Sequence, residues 1–241
     1  VDYTAIDAKN YQDECAVIEK DQHIQYLLGM LINLPKGYEN LDAGIPWIPY
    51  WITQALELLG KRTADFEEDI KTWIFKYLKN LIHPNGGFAG NIGFQPHIAS
   101  TYGGLCAIVN LGKGYELIDW EKTREFIIRL KENSFSDRED PSRINVATKG
   151  SFTMCENGEL DMWGCYCALV VADILGLLPD EWITAGVGDY IASCQTYEGG
   201  ISSSLFGEAH AGFTYCGLAS MIILGETDKL DLSWLASWVA H

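Results

Sequence analysis

Four segments of the chain carry almost no charge and are apolar around most of a helical circumference. They read IPWIPYWITQALELLG (45–60), HIASTYGGLCAIVNLG (97–112), MWGCYCALVVADILG (162–176) and HAGFTYCGLASMIILG (210–225). A helix that is apolar on most faces is buried on most faces. Each segment ends on a glycine, which is typical of a helix C-terminus. The pattern therefore predicts four largely buried helices.

The segments between them have a different pattern. Residues 66–81 keep apolar side chains at the spacing of one helical stripe, with charged side chains on the opposite face. Residues 121–131, 181–194 and 230–239 show weaker versions of the same pattern. Alternation of buried and half-exposed helices predicts an all-α fold, in which an outer ring of helices wraps an inner ring as an α/α toroid. A straight solenoid of helices is the competing arrangement.

An internal repeat supports this prediction. Tyr50, Tyr102, Tyr166 and Tyr215 each lie ten residues before a glycine, and the last three also lie sixteen residues after one, namely Gly86, Gly150 and Gly199. A repeat of this period is typical of one helical unit copied around a ring or along a solenoid. The glycines between helices are expected to form turns with positive φ.

The repeat also indicates the domain boundaries. Successive tyrosines are 52, 64 and 49 residues apart, and the longest interval contains a polar insert at 134–148 that we expect to be a surface loop. Residues 1–20 are polar and are expected to form a loosely packed arm. Residues 21–241 are then one toroid domain.

Composition excludes several classes of partner. The net charge is −16 with 17 Lys and Arg, which argues against nucleic acid and anionic membranes. No apolar run reaches the length of about 18 residues that a membrane span needs, so we expect no stable membrane insertion. The seven cysteines are odd in number and no secretory signal opens the chain, which indicates reduced thiols in a cytoplasmic protein.

The starts of the buried helices carry the candidate chemistry. His97 and His210 lie five residues before a repeat tyrosine, and Asp161 holds the same place in the third segment. Free N–H groups at helix N-termini suit an anion, so this rim could hold an anionic group. Asp161 is more typical of an N-cap than of an acid catalyst. A histidine at such a position could equally be a hydrogen-bonded structural residue.

Aromatic side chains on these helices allow two interpretations. They could line a deep funnel for a long apolar ligand with an anionic head, or they could be core packing of the ring wall. The sequence contains no DDxxD or DxDD cluster, no G-x-S-x-G and no P-loop. It therefore predicts neither a complete metal site nor a nucleophile with its base, and no residue is assigned as catalytic. The residues alone predict an α/α toroid with a ligand cavity.

Several stretches resemble the β subunits of protein prenyltransferases, most closely the farnesyl-transferring members. These are ENLDAGIPWIPYWITQALELLG, GGFAGNIGFQPHIASTY, GELDMWGCYCA and CQTYEGGISSSLFGEAHAGFTYCGLA. The resemblance covers residues 25–239. It is most specific at EAHAGFTYCGLA, which follows a glycine turn.

The resemblance implies an activity and partners. Such a β subunit transfers a farnesyl group from farnesyl diphosphate to the cysteine thiol of a C-terminal CaaX tail on proteins such as small GTPases. In the family a zinc ion binds and ionises the acceptor thiol. A β subunit of this kind works as a heterodimer with a helical α subunit in the cytoplasm.

The resemblance also implies site residues. A bulky aromatic at both the Trp47 and Tyr102 positions implies a farnesyl chain of fifteen carbons rather than a geranylgeranyl chain of twenty. His210 matches the family's diphosphate-contacting histidine. The peptide-binding positions are matched by His97, Ala99, Glu159 and Trp163, and the isoprenoid-binding positions by Trp47, Trp51, Tyr102, Tyr166, Gly212, Phe213 and Cys216.

Three departures from the family pattern leave alternatives open. The family's zinc ligands lie beyond the segment that SWLASWVAH resembles, so we expect zinc ligands outside this chain, an incomplete ring of about four helical hairpins, and a fragment inactive alone. Trp163 stands where farnesyl enzymes carry an Arg that helps to hold the peptide terminus, which predicts an altered preference at the last tail residue. The loop 134–148 has no assigned function. The alternatives are a geranylgeranyltransferase β subunit and an inactive fragment that only binds the α subunit.

Overall fold

The computed structural model of the protein describes residues 18–135 and 149–241. Most of the predicted arm (1–17) and most of the predicted insert (136–148) lie outside these ranges. Helix α1 already begins at Lys20, and α5 continues through Phe135, two residues into the segment predicted as a loop. The described α-helices are α1 (Lys20–Ile32), α2 (Trp47–Leu58), α3 (Glu68–Lys79), α4 (Ile98–Leu111), α5 (Trp120–Phe135), α6 (Met162–Ile174), α7 (Glu181–Thr184), α8 (Val187–Ser193), α9 (Ala211–Leu224) and α10 (Leu232–Ala240).

The four predicted buried helices are α2, α4, α6 and α9. They pack one after another in chain order, with α2 against α4, α4 against α6, and α6 against α9. Eleven of the fourteen residues of α4 are buried, because this helix has an inner neighbour on each side. These helices form the inner layer, and the prediction of their positions is confirmed.

The remaining segments form the outer layer. The chain passes from α2 to α3, from α4 to α5, from α6 to α7 and α8, and from α9 to α10. This gives four inner–outer hairpins in the described residues. Helix α3 shows why the segment lies outside: Ile74 and Leu78 are completely buried, whereas Asp69 and Lys76 on the other face are exposed.

One predicted outer helix is interrupted. Residues 181–194 were expected to be continuous, but the chain leaves the helical conformation between α7 and α8, where Gly186 has a φ of 76°. The Lys131 ammonium of α5 donates hydrogen bonds to the carbonyl oxygens of Ile183 (2.8 Å) and Ala185 (2.7 Å). These bonds satisfy two carbonyls that the break removes from the helical ladder, so the interruption is stable.

The glycines of the repeat fall into two structural groups. Gly112 and Gly225 end α4 and α9 in the left-handed conformation, with φ of 67° and 70°. Gly86, Gly150 and Gly199 have φ of 92°, 102° and 105° and touch the backbone of the next outer helix. A Cβ on Gly86 would lie 2.1 Å from the carbonyl oxygen of Lys122 in α5. The sequence predicted the positive φ but not this backbone contact.

The inner layer is curved. Helices α2 and α6 lie on opposite sides of α4, and yet the rings of Trp47 in α2 and Trp163 in α6 are only 5.5 Å apart. Two side chains can meet across the intervening helix only when the layer bends toward them. The inner face of α4 therefore lies at the bottom of a concave wall.

Two predictions about the chain as a whole concern its cysteines and its hydrophobic runs. The six cysteines in the described ranges are all free, and four of them are buried, as predicted. Cys15 lies outside the described residues. In the part of the chain that the structure describes, no helix has the length and apolar character required to span a bilayer.

Three equivalent turns lead into the inner helices α4, α6 and α9. In each turn the fourth residue donates its N–H to the carbonyl oxygen of the first, at 91–94, 155–158 and 204–207. The third residue has positive φ and is Gly93 (83°), Asn157 (58°) or Phe206 (63°). Glycine and asparagine tolerate this conformation, whereas a bulky residue is strained in it. Phe206 is also completely exposed, so no packing offsets its strain.

Replacing Phe206 with asparagine should stabilise the protein. The change Phe206→Asn relieves the left-handed strain and removes no buried contact, so we expect a gain of about 1 kcal/mol in the free energy of unfolding. Urea denaturation followed by circular dichroism measures this gain. The matched control Asn157→Ala puts a less tolerant residue at the equivalent position and should be destabilising. A Phe206→Asn variant no more stable than wild type would contradict the expectation.

Candidate functional site

The N-terminal ends of α4, α6 and α9 are capped by the three polar residues that the repeat singles out. His97, Asp161 and His210 have extended backbones, and each side chain accepts a hydrogen bond from the N–H two residues later. The distances are 3.2 Å for His97, 2.7 Å for Asp161 and 3.0 Å for His210. The prediction of Asp161 as an N-cap is confirmed. His97 and His210 are also hydrogen-bonded, as the structural alternative predicted, because each caps its own helix.

Capping selects one tautomer of the neutral histidine ring at both positions. In each ring Nδ1 accepts the backbone N–H, so a neutral ring carries its proton on Nε2. Burial lowers the pKa of His97, and the negative charge of Glu159 partly opposes this. Both rings can therefore cap a helix through one nitrogen and donate a hydrogen bond from the other.

Two buried threonines hold the turns that precede the histidine caps. The Thr101 hydroxyl accepts the N–H of Phe88 at 2.9 Å, and the Thr214 hydroxyl accepts the N–H of Ile201 at the same distance. Each threonine lies four residues after its histidine, so one helical turn fixes both the cap and the preceding chain. Neither threonine was among the predicted site residues. The signal that could have found them was the recurrence of threonine one residue before Tyr102 and Tyr215.

The aromatic residues of α2 meet those of α4 and α6 on the concave wall. Trp47 is the centre of this cluster. Its ring centroid lies 5.8 Å from Tyr50, 5.6 Å from Trp51, 5.3 Å from Tyr102 and 5.5 Å from Trp163. Aromatic pairs at these distances add to the stability that burial gives.

The four repeat tyrosines form a row across the inner layer. Adjacent rings in the row are 5.6, 5.7 and 5.6 Å apart. The hydroxyls of Tyr50 and Tyr102 are 3.2 Å apart, and those of Tyr166 and Tyr215 are 3.5 Å apart. The four tyrosines lie at the same distance from the ends of their helices, and they therefore lie side by side in the structure. Sequence analysis noted all four tyrosines but assigned only Tyr102 and Tyr166 to a site.

The structure places the other predicted site residues near this wall or at its rim. The Phe213 ring lies 5.1 Å from that of His210, and Gly212 donates its N–H to the same histidine. Cys216 is buried, and burial raises the pKa of its thiol to about 11. Ala99 is only 3% exposed, so a ligand that meets it contacts little of its surface. Ala99 and Cys216 belong to the same buried core as Tyr102, and Phe213 packs against that core.

The arrangement suits an amphipathic ligand. An aromatic wall offers a long apolar surface, and the rim beside it offers helix N-termini and histidine N–H groups for an anion. The wall's thiol on Cys216 is protonated at neutral pH, so it contributes apolar surface and no nucleophile. Within residues 18–135 and 149–241 no three His, Cys, Asp or Glu side chains come together as a metal site.

Comparison with known proteins adds a family and relatives. The profile of the prenyltransferase alpha-alpha toroid domain matches residues 18–241, which favours a toroid over a straight solenoid. The protein farnesyltransferase subunit beta of Arabidopsis thaliana is 39% identical, covering 93% of this chain and 43% of that relative. The same subunit of Pisum sativum is 36% identical, covering 91% and 48%. The chain spans about half the length of these curated relatives.

A solved structure supports the fold. The chain of the Candida albicans protein geranylgeranyltransferase-I complexed with GGPP superposes with a TM-score of 0.73 and is 22% identical. The superposition covers 92% of this chain and 64% of that chain. At this identity the similarity establishes the α/α arrangement alone.

Removing the Trp47 side chain should lower the stability of the protein more than removing the Trp51 side chain. Trp47 contacts four aromatic rings, whereas Trp51 is 49% exposed and contacts Trp47. We expect Trp47→Ala to cost about 3 kcal/mol of unfolding free energy and Trp51→Ala about 1 kcal/mol. Chemical denaturation of both variants checks the order. Equal losses would contradict the central position of Trp47.

Proposed function

Because the chain belongs to the prenyltransferase α/α-toroid family, we propose that it acts as the β subunit of a protein farnesyltransferase. In this role it binds farnesyl diphosphate on its concave wall for transfer to a cysteine thiol of another protein. The acceptor is the C-terminal CaaX tail of proteins such as small GTPases. Two relatives named as farnesyltransferase β subunits, at 36–39% identity over nine-tenths of the chain, support this choice.

The contact between Trp47 and Tyr102 is the observation that carries the proposal. Their ring centroids are 5.3 Å apart, and Tyr102 is only 9% exposed. Two large rings in contact fill space that a chain of twenty carbons would need. Each buried methylene contributes about 0.8 kcal/mol, so a pocket that is too short by several methylenes discriminates strongly. The wall therefore suits a farnesyl rather than a geranylgeranyl chain.

The aromatic wall, the start of α9 and the buried thiols are proposed to have different roles, which follow from their chemistry. The rings of Trp47, Trp51, Tyr102 and Tyr166 exclude water from the apolar chain. His210 at the start of α9 donates from Nε2 to the diphosphate, where the helix N-terminus adds partial positive charge. The thiols of Cys165 and Cys216 have pKa values raised by burial to about 12 and about 11, so they do not compete with the acceptor cysteine.

The acceptor peptide is proposed to lie at the rim beside α4 and α6. His97 and Glu159 interact electrostatically there, and Trp163 adds an aromatic ring that is 36% exposed. A tryptophan carries no charge for the peptide's terminal carboxylate. We therefore propose that Trp163 shifts the preference at the last residue of the tail toward apolar side chains.

The proposed enzyme also needs a zinc ion and a partner subunit. The family implies a zinc ion that ionises the acceptor thiol, but the described residues bring together no set of ligands that fits one. The residues assigned above are proposed to serve the isoprenoid, the diphosphate and the peptide tail. We propose that the working enzyme is a cytoplasmic heterodimer with a prenyltransferase α subunit.

Replacing the Trp47 ring with a small side chain should change the preference between farnesyl and geranylgeranyl diphosphate. The full-length protein, co-expressed with its α subunit, should prefer farnesyl over geranylgeranyl diphosphate in transfer to a dansylated CaaX peptide. The change Trp47→Thr opens space at the wall and should raise the ratio of kcat/KM for C20 over C15 by about tenfold or more. Fluorescence of the dansyl group measures both reactions.

The matched control is Trp73→Thr. Trp73 lies on outer helix α3, where it stacks on Tyr77 away from the concave wall. This variant should keep the wild-type isoprenoid preference. A wild-type complex that prefers C20 would favour a geranylgeranyltransferase, and a complex that binds its α subunit without zinc or turnover would favour an inactive fragment.

Replacing His210 separates its capping role from its proposed role with the diphosphate. Asparagine also caps helices, so His210→Asn should change the unfolding free energy by less than about 0.5 kcal/mol. It removes the imidazole N–H, so the Kd for farnesyl diphosphate should rise about tenfold. Isothermal titration calorimetry on the heterodimer measures this Kd.

Two further measurements control for indirect effects. The affinity for farnesol, which has no diphosphate, should be the same in wild type and His210→Asn. The variant His210→Ala should lose the cap and the ligand contact together. Unchanged affinity of His210→Asn for farnesyl diphosphate would show that this histidine is only a cap.

A further inference from the structure

Tyr50 braces the two rings on which the proposed isoprenoid preference depends. Its ring stands perpendicular to that of Tyr102, with an interplanar angle of 87° and a centroid distance of 5.6 Å. Its hydroxyl lies 3.2 Å from the Tyr102 hydroxyl. Its ring also meets Trp47 edge-on at 5.8 Å. Tyr50 therefore contacts both Trp47 and Tyr102, whereas each of these belongs to a different inner helix.

The backbone that carries Tyr50 is tied to the neighbouring helix. The hydroxyl of Thr53 donates to the carbonyl oxygen of Pro49 at 2.7 Å, with the carbonyl oxygen of Tyr50 also within reach at 3.1 Å. The same hydroxyl accepts a hydrogen bond from the Asn110 amide of α4 at 3.0 Å. Thr53 is completely buried. This set of bonds fixes α2 against α4 at the turn where Tyr50 stands.

The Tyr102 phenol depends on this brace for its orientation. Tyr102 lies between Tyr50 and Tyr166 in the tyrosine row. Burial and then the hydrogen bond with Tyr50 raise the pKa of Tyr102, so the phenol is neutral at physiological pH. Without the Tyr50 hydroxyl, one side of the Tyr102 hydroxyl loses its partner. Without the Tyr50 ring, a gap opens beside both Trp47 and Tyr102 into which either ring can move.

We propose that Tyr50 is a positioning residue for isoprenoid length, which holds Tyr102 against Trp47 and so sets the depth at which the bound chain must end. This inference rests on the proposed farnesyl transfer. Tyr50 acts through its neighbours. The rings of Trp47 and Tyr102 limit the length of the bound chain, and Tyr50 keeps these rings from moving aside for a longer chain.

Two substitutions in the heterodimer of the full-length protein test the positioning role of Tyr50. Tyr50→Phe removes the hydroxyl and keeps the ring, whereas Tyr50→Leu removes the ring as well. We expect the C20/C15 ratio of kcat/KM to rise about threefold in Tyr50→Phe and about tenfold in Tyr50→Leu, since space for even one methylene changes selectivity by this order. The change should appear mainly as a lower KM for geranylgeranyl diphosphate.

The control is Tyr77→Phe on outer helix α3, where the tyrosine stacks on Trp73. It should leave the C20/C15 ratio at the wild-type value. A general loss of stability would lower kcat for both substrates without a change in the ratio, so the ratio separates positioning from folding.

The outcomes distinguish this inference from the proposed function. If Trp47→Thr changes the ratio but Tyr50→Leu does not, the brace is wrong and farnesyl transfer stands. If Tyr50→Leu does not fold, an unchanged ratio in Tyr50→Phe overturns the brace by itself. If the wild-type complex binds neither isoprenoid diphosphate, the proposed function fails before the brace is tested.

Discussion

The arrangement of the inner and outer layers depends on close backbone contacts at glycine. Three turns after outer helices place Gly86, Gly150 and Gly199 against the backbone of the next outer helix, and a Cβ would come within 2.1 to 2.4 Å of a carbonyl oxygen. No side chain fits there, and the positive φ of each glycine excludes most other residues as well. Each of these turns is thereby held in backbone contact with the next outer segment, and the same contact recurs in three successive hairpins.

Curvature explains why the site is found on the inner face. In a flat layer, side chains from α2 and α6 would be separated by the width of α4. In the curved layer they meet, and Trp47 gains contacts with side chains of three inner helices. The starts of α4, α6 and α9 carry equivalent caps, made by His97, Asp161 and His210. An apolar wall and a polar rim are thus two results of one repeated unit.

Most of the fold could be predicted from the sequence because its signals are local. The four inner helices are apolar around their circumference, and their terminal glycines are visible in the chain. The interruption at Gly186 could not be predicted, because the carbonyls that it frees are satisfied by Lys131, more than fifty residues earlier.

The site was predictable in part. Register alone put Tyr102 and Tyr166 on one wall and the three caps on one rim. The contact of Trp47 with Trp163 requires the curvature of the layer, and the hydrogen bond from Asn110 to Thr53 requires the packing of α2 on α4. Such contacts have no sequence signal, since they depend on the angle between helices.

The choice of capping residue gives the starts of α4 and α6 different responses to acid. A histidine caps only while Nδ1 keeps its lone pair, and a protonated ring would also be repelled by the positive end of the helix. Burial already lowers the pKa of His97, so its neutral form is favoured in the folded chain, and the stability it contributes is lost as the pH falls below the usual range of histidine. The carboxyl of Asp161 retains an accepting oxygen whether or not it is protonated. Mild acidification would therefore loosen the start of α4, while the start of α6 stays closed.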